Sequence, residues 1–133
     1  MNDCLFCKIV NGTIPSYPIW QDDQFLAILD RFPNVPGQVL VISKQHYSSY
    51  YADLDDRILQ NLIIATKKVA KLLDQKLPNS SRCCLVFEGF EINHIHAKIY
   101  PSYGKTSPSS IINQPSGQAS DDDLQKLAQT ILR

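Results

Sequence analysis

The sequence NHIHAKIYP at residues 93–101 decides the fold that we predict for this chain. Its polar side chains His94, His96 and Lys98 stand two residues apart, and the residues between and after them are apolar: Ile95, Ala97 and Ile99. Because successive side chains of a strand point to opposite faces, the pattern predicts a strand with one apolar and one polar face. Two of the three histidines of the chain lie here, which favours a functional cluster over a solvated edge strand with incidental polar residues.

Working outward, the sequence predicts four further strands, over residues 17–21, 24–30, 38–43 and 82–88. Apolar residues within 55–77 recur every three or four positions, the spacing of one buried helical stripe. A Ser/Pro/Gly-rich loop over 102–119 precedes a short C-terminal helix over 120–133. Strands precede the long helix and strands follow it, so the order predicts an α+β fold with an antiparallel sheet of about five strands.

Length and charge narrow the classes of function. A chain of 133 residues predicts a single domain over 1–133, with residues 1–101 as its core. The 13 basic and 13 acidic residues balance, which argues against nucleic acid or an anionic membrane as partner. The sequence shows no apolar run long enough to span a membrane and no signal peptide, so we expect a cytoplasmic protein with reduced thiols.

A C-x-x-C pair begins the chain, at Cys4 and Cys7. This spacing suits two thiolates on one metal ion, a redox dithiol, or two unrelated thiols. No βαβ pattern of the thioredoxin type surrounds the pair. A closed zinc site needs four ligands, and His46 and His94 are the candidates for the other two.

Asp30 closes the apolar run Leu26-Ala27-Ile28-Leu29. An acidic residue at the end of a strand is usually a cap or turn residue. A carboxylate also has two oxygens with which it can accept hydrogen bonds from two sugar hydroxyls. The sequence leaves both interpretations open.

Several short motifs together resemble the histidine triad (HIT) family of nucleotide-binding hydrolases and transferases. In chain order they are Cys4-Leu5-Phe6-Cys7-Lys8-Ile9, Ile14-Pro15, Asp22-Asp23, Leu29-Asp30, Pro36-Gly37, Leu40 to His46, and His94-Ile95-His96. No single motif is decisive, but their order and distances match the family from Cys4 to about Pro101.

The resemblance implies an enzyme that forms a covalent nucleotidyl-histidine on His96 and then releases the nucleotide to water. It implies a purine nucleotide whose ribose hydroxyls bind Asp30, in a homodimer whose two sheets join. The substrates would be nucleotide phosphoramidates or dinucleoside polyphosphates. The base pocket implied by the family comprises Leu5, Phe6, Ile9, Ile28 and Arg31.

The resemblance also implies structural zinc. In zinc-containing members the metal ligands are two N-terminal cysteines, the histidine after the third strand and the first histidine of the triad. Those positions are Cys4, Cys7, His46 and His94 here. Zinc would hold the N-terminal turn, with Leu5 and Phe6, against the start of the histidine strand.

Two departures from the family pattern bear on activity. Lys98 stands at the third histidine position, where we expect its ammonium to support the phosphate as a point charge. Residues 87–93 replace the usual Gly-rich turn, and Glu91 and Asn93 are candidates for its phosphate contacts. The first hypothesis is an enzyme, because His96 lies on a matching strand. The second, which the two departures motivate, is a nucleotide-binding or protein-interaction homodimer with weak chemistry. The third is a zinc-stabilised protein without a nucleotide role.

Overall fold

The described part of the chain forms one antiparallel sheet with helices on both faces. In the computed structural model, the described residues are 3–104, 107–112 and 117–133. The elements in chain order are α1 (Leu5–Val10), β1 (Pro18–Gln21), β2 (Phe25–Leu29), β3 (Val39–Ser43), α2 (Asp56–Lys76), β4 (Arg82–Val86), β5 (His96–Ser102), α3 (Ser109–Ile112) and α4 (Asp121–Leu132). A short 3-10 turn, Tyr51–Asp53, precedes α2. The spatial order of the strands is β1-β2-β3-β5-β4, and each pair is antiparallel. The predicted α+β class is confirmed.

Strands β2 and β3 are buried on both faces, which explains why their sequences show no alternation of polarity. All five residues of β2 and all five of β3 are buried. One set of alternate residues packs toward α2 and α4, and it includes Ala27 and Val41. The other set packs with Phe6 of α1 and comprises Leu26, Ile28, Leu40 and Ile42.

Cross-strand register places the polar residues of β5 on the α1 face. His96 pairs with Ile42, and Lys98 pairs with Leu40. Directly opposite residues of an antiparallel pair share a face, so His96 and Lys98 lie in the same layer as the Phe6 cluster. The intervening residues Ala97 and Ile99 are fully buried on the α2 face, as the alternation predicted.

Three local predictions were wrong. The N-terminal C-x-x-C pair lies on a six-residue helix, α1, with Cys4 at its N-cap. The histidine strand begins at His96, because the N–H of His94 turns back to the carbonyl oxygen of Ile92 at 2.9 Å. The predicted loop over 102–119 includes the last residue of β5 and the helix α3, and its residues 105–106 and 113–116 lie outside the described residues. The division into one domain with a 1–101 core stays a prediction.

Candidate active site and metal centre

The four predicted metal ligands converge at the N-terminus of α1. Their ligand atoms all lie within 4.8 Å of one another: Cys4, Cys7, His46 and His94. The Sγ atom of Cys4 is 3.3 Å from Nδ1 of His94, and Sγ of Cys7 is 3.3 Å from Nδ1 of His46. A tetrahedral zinc ion with ordinary bond lengths separates sulfur from nitrogen by about 3.5 Å. The donor set and its spacing therefore fit zinc.

The main chain fixes which nitrogen of His94 faces the cluster. Nε2 of His94 lies 2.7 Å from the carbonyl oxygen of Ser43, which can only accept a hydrogen bond. Nε2 therefore carries the proton, and Nδ1 presents its lone pair to the two sulfurs. Such an outer hydrogen bond is the usual way in which proteins orient a metal-bound imidazole.

Burial sets the protonation of the cluster. Desolvation is the largest cause that lowers the pKa of His94, so its ring is neutral at pH 7. Burial, and then the neighbouring Cys4 sulfur, raise the pKa of the Cys7 thiol. A bound cation acts in the opposite direction, because it favours the thiolate over the thiol.

A pocket of about 240 Å³ lies beside this cluster, lined by α1, by the face of the sheet that α1 packs on and by the turn before β5. Its lining includes the residues expected, from the family resemblance, at the base, the ribose, the third triad position and the nucleophile: Leu5, Phe6, Ile9, Ile28, Asp30, Arg31, His96 and Lys98. Phe6 joins the two regions, since its ring packs edge-to-face on His94 at 5.7 Å and on His96 at 4.9 Å between centroids.

The imidazole of His96 has a defined tautomer. Nδ1 lies 2.7 Å from the carbonyl oxygen of His94, so Nδ1–H donates and Nε2 keeps its lone pair. Burial is the largest cause that lowers the pKa of His96, and the Lys98 ammonium lowers it further. The ring is therefore neutral at pH 7 and has one nitrogen available for attack on an electrophile.

Two hydrogen bonds hold the carboxylate of Asp30, and each of its oxygens can accept a further hydrogen bond. Its Oδ1 accepts the N–H of Phe32 at 2.9 Å, and its Oδ2 accepts Nε2 of Gln38 at 2.7 Å. Each carboxylate oxygen has two lone pairs, so each retains one acceptor position toward the pocket. Gln38 is 1% exposed and had no sequence signal, because its role depends on a contact made only in the fold.

Arg31 is bound to the C-terminal helix. Its Nη1 lies 2.6 Å from Oδ1 of Asp121, and its guanidinium stacks over the Tyr17 ring at 5.6 Å. Leu124 of α4 also lines the pocket. The C-terminal helix thus forms part of the pocket wall, which the sequence did not predict.

The turn before β5 contributes acidic side chains. Glu88 and Glu91 line the pocket, and Oε1 of Glu88 is 3.6 Å from Nζ of Lys98. Asn93, the other candidate for a phosphate contact, instead accepts the N–H of Ser49 at 3.0 Å. The proximity of Glu88 to Lys98 follows from the pairing of Val86 with Lys98, which no motif predicted.

A larger cavity of about 480 Å³ lies on the far side of Asp30, against α4. It shares Leu29, Asp30, Asn34 and Leu124 with the first pocket, but its described lining contains no histidine. Its size alone gives it no chemistry, so the histidine-bearing pocket is the candidate active site.

Known proteins are similar to this chain in sequence and in fold. The HIT domain family matches residues 11–105. An uncharacterized HIT-like protein of Methanocaldococcus jannaschii is 36% identical over 107 residues, 75% of this chain and 79% of that protein. The adenosine 5'-monophosphoramidase of Saccharomyces cerevisiae is 28% identical over 129 residues, 97% of this chain and 80% of that protein.

A solved structure extends the likeness over nearly the whole chain. The crystal structure of a hypothetical histidine triad nucleotide-binding protein of Sulfolobus tokodaii matches with a TM-score of 0.83 and 27% identity, covering 97% of this chain and 89% of that chain. The fold and the sequence agree, and this chain belongs to the HIT family.

Proposed function

We propose that the protein is a hydrolase or nucleotidyl transferase that acts on purine nucleotides through a covalent nucleotidyl-histidine. The observation that carries the proposal is the tautomer of His96, whose Nδ1–H is bound to the His94 carbonyl oxygen at 2.7 Å. That bond leaves the Nε2 lone pair for a phosphorus atom in a pocket that also contains Asp30 and Lys98. The substrates are phosphoramidates or dinucleoside polyphosphates of AMP or GMP.

The names of two similar proteins support this class of substrate. The yeast protein at 28% identity is named as an adenosine 5'-monophosphoramidase. The Sulfolobus protein at 27% identity is titled nucleotide-binding. A purine in the apolar part of the pocket would contact Leu5, Phe6, Ile9, Ile28 and Arg31, and Asp30 would accept hydrogen bonds from the ribose hydroxyls.

In the proposed mechanism, Nε2 of His96 attacks the α-phosphorus and the leaving group departs with its bonding electron pair. The Nδ1–H bond to the carbonyl oxygen of His94 stabilises the ring as it becomes positive. Water then cleaves the nitrogen–phosphorus bond and releases the nucleotide, so one difficult displacement is divided into two easier ones. Most of the catalysis is positioning and charge stabilisation, as is usual for phosphoryl transfer.

Lys98 takes the third triad position in this proposal. Its ammonium lies 3.6 Å from a carboxylate oxygen of Glu88 and lines the same pocket as His96. A lysine supports phosphate as a point charge but offers no neutral imidazole. That difference favours slower proton transfer than a third histidine would give.

We also propose that Cys4, Cys7, His46 and His94 hold a structural zinc ion, since their atoms have the spacing of a tetrahedral site. Zinc bound there would fix α1, and with it Leu5 and Phe6, against the histidine strand. The metal supplies rigidity, and the chemistry stays with His96. Metal analysis of protein purified without chelator should find about one zinc per chain.

A homodimer and a cytoplasmic location complete the proposal. The two edge strands, β1 and β4, give the sheet open sides on which a second copy would continue it. Among the described helices, none combines the length and apolar character needed to cross a bilayer. Sedimentation of the purified chain tests the dimer directly.

The deciding experiment measures AMP release from adenosine 5'-phosphoramidate and from diadenosine tetraphosphate. Wild-type protein should release AMP from one or both, and rapid acid quenching should trap a labelled nucleotidyl-protein. His96→Asn should do neither, while its amide keeps a donor for the His94 carbonyl and the circular dichroism stays unchanged. Turnover by the folded His96→Asn variant at the wild-type rate would overturn the nucleophile assignment.

The second candidate is a nucleotide-binding homodimer with weak chemistry. The observation that favours it is the Glu88–Lys98 pair, which offsets the one ammonium beside His96. Calorimetry separates the two candidates, since AMP binding without turnover of either substrate supports the second.

A further inference from the structure

The chain contains two glutamates, and both of them line the candidate active site. Glu88 and Glu91 are the glutamates of the sequence. Both border the pocket that holds His96 and Lys98. In the proposed function the α-phosphate lies near His96 and Lys98, which we call the phosphate end of the pocket. Carboxylates are unfavourable neighbours for a phosphate, so the two glutamates affect which substrates the pocket accepts.

The turn that carries the two glutamates is fastened to a neighbouring loop at two points. Oγ of Ser49 donates to the carbonyl oxygen of Gly89 at 2.8 Å, and the N–H of Ser49 donates to Oδ1 of Asn93 at 3.0 Å. Gly89 has a φ of +64°, and a Cβ there would lie 2.7 Å from the carbonyl oxygen of Ser49. The turn therefore approaches Ser49 as closely as glycine permits, and it holds Glu88 and Glu91 beside the pocket.

The charges at the phosphate end do not favour a long anion. Oε1 of Glu88 is 3.6 Å from Nζ of Lys98 and also accepts the N–H of Phe90 at 3.3 Å. Arg31, the other cation of the pocket lining, is paired with Asp121 at 2.6 Å. Lys98 thus has Glu88 as its neighbour, and the charged side chains of the described lining, Lys98 and Arg31 against Asp30, Glu88 and Glu91, sum to a net negative charge.

We propose that Glu88 and Glu91 select the leaving group by its charge. An α-phosphoryl group with one negative charge is attracted by Lys98, and the contacts of the base and ribose with the pocket keep it in place. A leaving group made of further phosphates adds negative charges beside the carboxylates of Glu88 and Glu91, whereas an amine with a protonated tail is attracted to them. The inference rests on the proposed function and narrows its substrates to phosphoramidates of neutral or cationic amines.

The test uses three AMP phosphoramidates whose leaving amines are similar in size and differ in charge. The amines are 1,2-diaminoethane, propylamine and β-alanine, with a cationic, a neutral and an anionic tail. We expect Glu88→Gln to raise kcat/KM for the anionic substrate relative to the cationic one by roughly two- to fivefold, the range of partly exposed charge pairs. Each substrate is compared with itself in two proteins, so intrinsic leaving ability cancels.

Glu88→Gln keeps an oxygen that can accept the N–H of Phe90, which preserves the turn. Glu91→Gln, at an exposed position, is a second variant that does not touch the Lys98 pair, and it should shift the ratio in the same direction. Asp23→Asn, on the β1–β2 hairpin, removes one negative charge away from the pocket and should leave the ratio unchanged. The shift should shrink as salt is raised, because exposed charges are screened.

Binding provides a readout that does not depend on turnover. Wild-type affinity should fall from AMP to ADP to ATP, and Glu88→Gln should flatten that series. Unchanged ratios in both glutamine variants, together with a flat wild-type series, would overturn the charge selection while leaving the nucleotidyl-histidine intact. Absence of nucleotide binding and of turnover in wild-type protein would instead overturn the proposed function, and with it this inference.

Discussion

The cysteine–histidine cluster and the histidine-bearing pocket share a wall but are built in different ways. The cluster brings four ligand atoms within 4.8 Å, and a main-chain carbonyl fixes the His94 tautomer. The pocket draws its lining from α1, β2, β5, the turn before β5 and α4, and its charges are mostly paired. Residue type identifies all four members of the cluster, whereas part of the pocket lining, such as Leu124 and Glu88, is identified only by the assembled fold.

Their shared wall is Phe6. Its ring contacts His94 of the cluster and His96 of the pocket, and the residue is 3% exposed. A loss of the cluster should therefore disturb the pocket. Changes at the outer wall of the pocket, by which we mean Arg31 and the helix α4 that binds it, should leave the cluster intact. Four experiments test this asymmetry.

The largest effect is expected from removal of a metal ligand. Cys4→Ala should abolish zinc binding and cost several kcal/mol of unfolding free energy, because the binding energy of structural zinc is folding energy. Thermal unfolding with parallel metal analysis measures both quantities.

The matched control is Cys84→Ala, since Cys84 lies on β4 outside the cluster. It should keep its zinc and lose about 1 kcal/mol or less. Equal losses in the two alanine variants would refute a structural metal site.

Removal of the shared wall should have the next largest effect. Phe6→Ala removes a buried aromatic ring and should lower the unfolding free energy by about 3–5 kcal/mol. It should also lower kcat, because the His96 ring loses its edge contact.

Phe90→Ala is the control, because Phe90 is 88% exposed and exposed positions of this kind usually change stability by about 0.5 kcal/mol or less. If Phe6→Ala lowered stability and left kcat at the wild-type value, Phe6 would support the core without positioning His96.

The turn before β5 should show a smaller effect. Gly89→Ala places a Cβ 2.7 Å from the Ser49 carbonyl oxygen at a φ of +64° and should cost about 1–3 kcal/mol. Denaturant unfolding measures the loss, and zinc content should stay unchanged.

Gly12→Ala separates the two causes of that loss. Gly12 has a similar φ of +85° but no atom within 4 Å of a Cβ, so it retains only the conformational strain. Gly89→Ala should therefore be the more destabilising of the two, and equal losses would contradict the close approach to Ser49.

The smallest effect is expected at the outer wall. The Arg31 and Tyr17 hydrogen bonds lower the pKa of Asp121 in the folded protein. A carboxyl whose folded pKa is depressed adds stability above its unfolded pKa and loses it as pH falls. The stability difference between wild type and Asp121→Asn should therefore be present at pH 6, begin to fall near pH 4, the usual pKa of an aspartate, and be lost as the pH falls through the lower folded pKa.

Asp122→Asn is the control in the same first turn of α4, where it removes an equal charge from the helix N-terminus. A pH dependence shared equally by both variants would assign the effect to the helix dipole and not to the Arg31 pair.

The sequence predicted what depends on period and residue type. Alternation over 93–101 predicted the buried face of β5, and the three-to-four spacing over 55–77 predicted α2, because burial on one face imposes those periods. The four residues of the cluster could be named because few residue types bind zinc and because the family resemblance implied their positions.

The missed features depend on tertiary contacts. Helix α1 has only six residues, too few for a helical period to show. Glu88 faces Lys98 because Val86 pairs with Lys98 across two strands, and Leu124 reaches the pocket from the far end of the chain. Such placements follow from register and helix docking, which one sequence does not specify.

His94 makes two different contacts, one with its ring and one with its main-chain carbonyl. Its ring belongs to the cluster, and its carbonyl oxygen holds the imidazole of His96 at 2.7 Å. A movement of the main chain at His94 would therefore displace both a proposed metal ligand and the hydrogen-bond acceptor of the proposed nucleophile. A substitution at position 94 replaces the ring but keeps the carbonyl oxygen, so it changes the support of His96 only if the main chain moves.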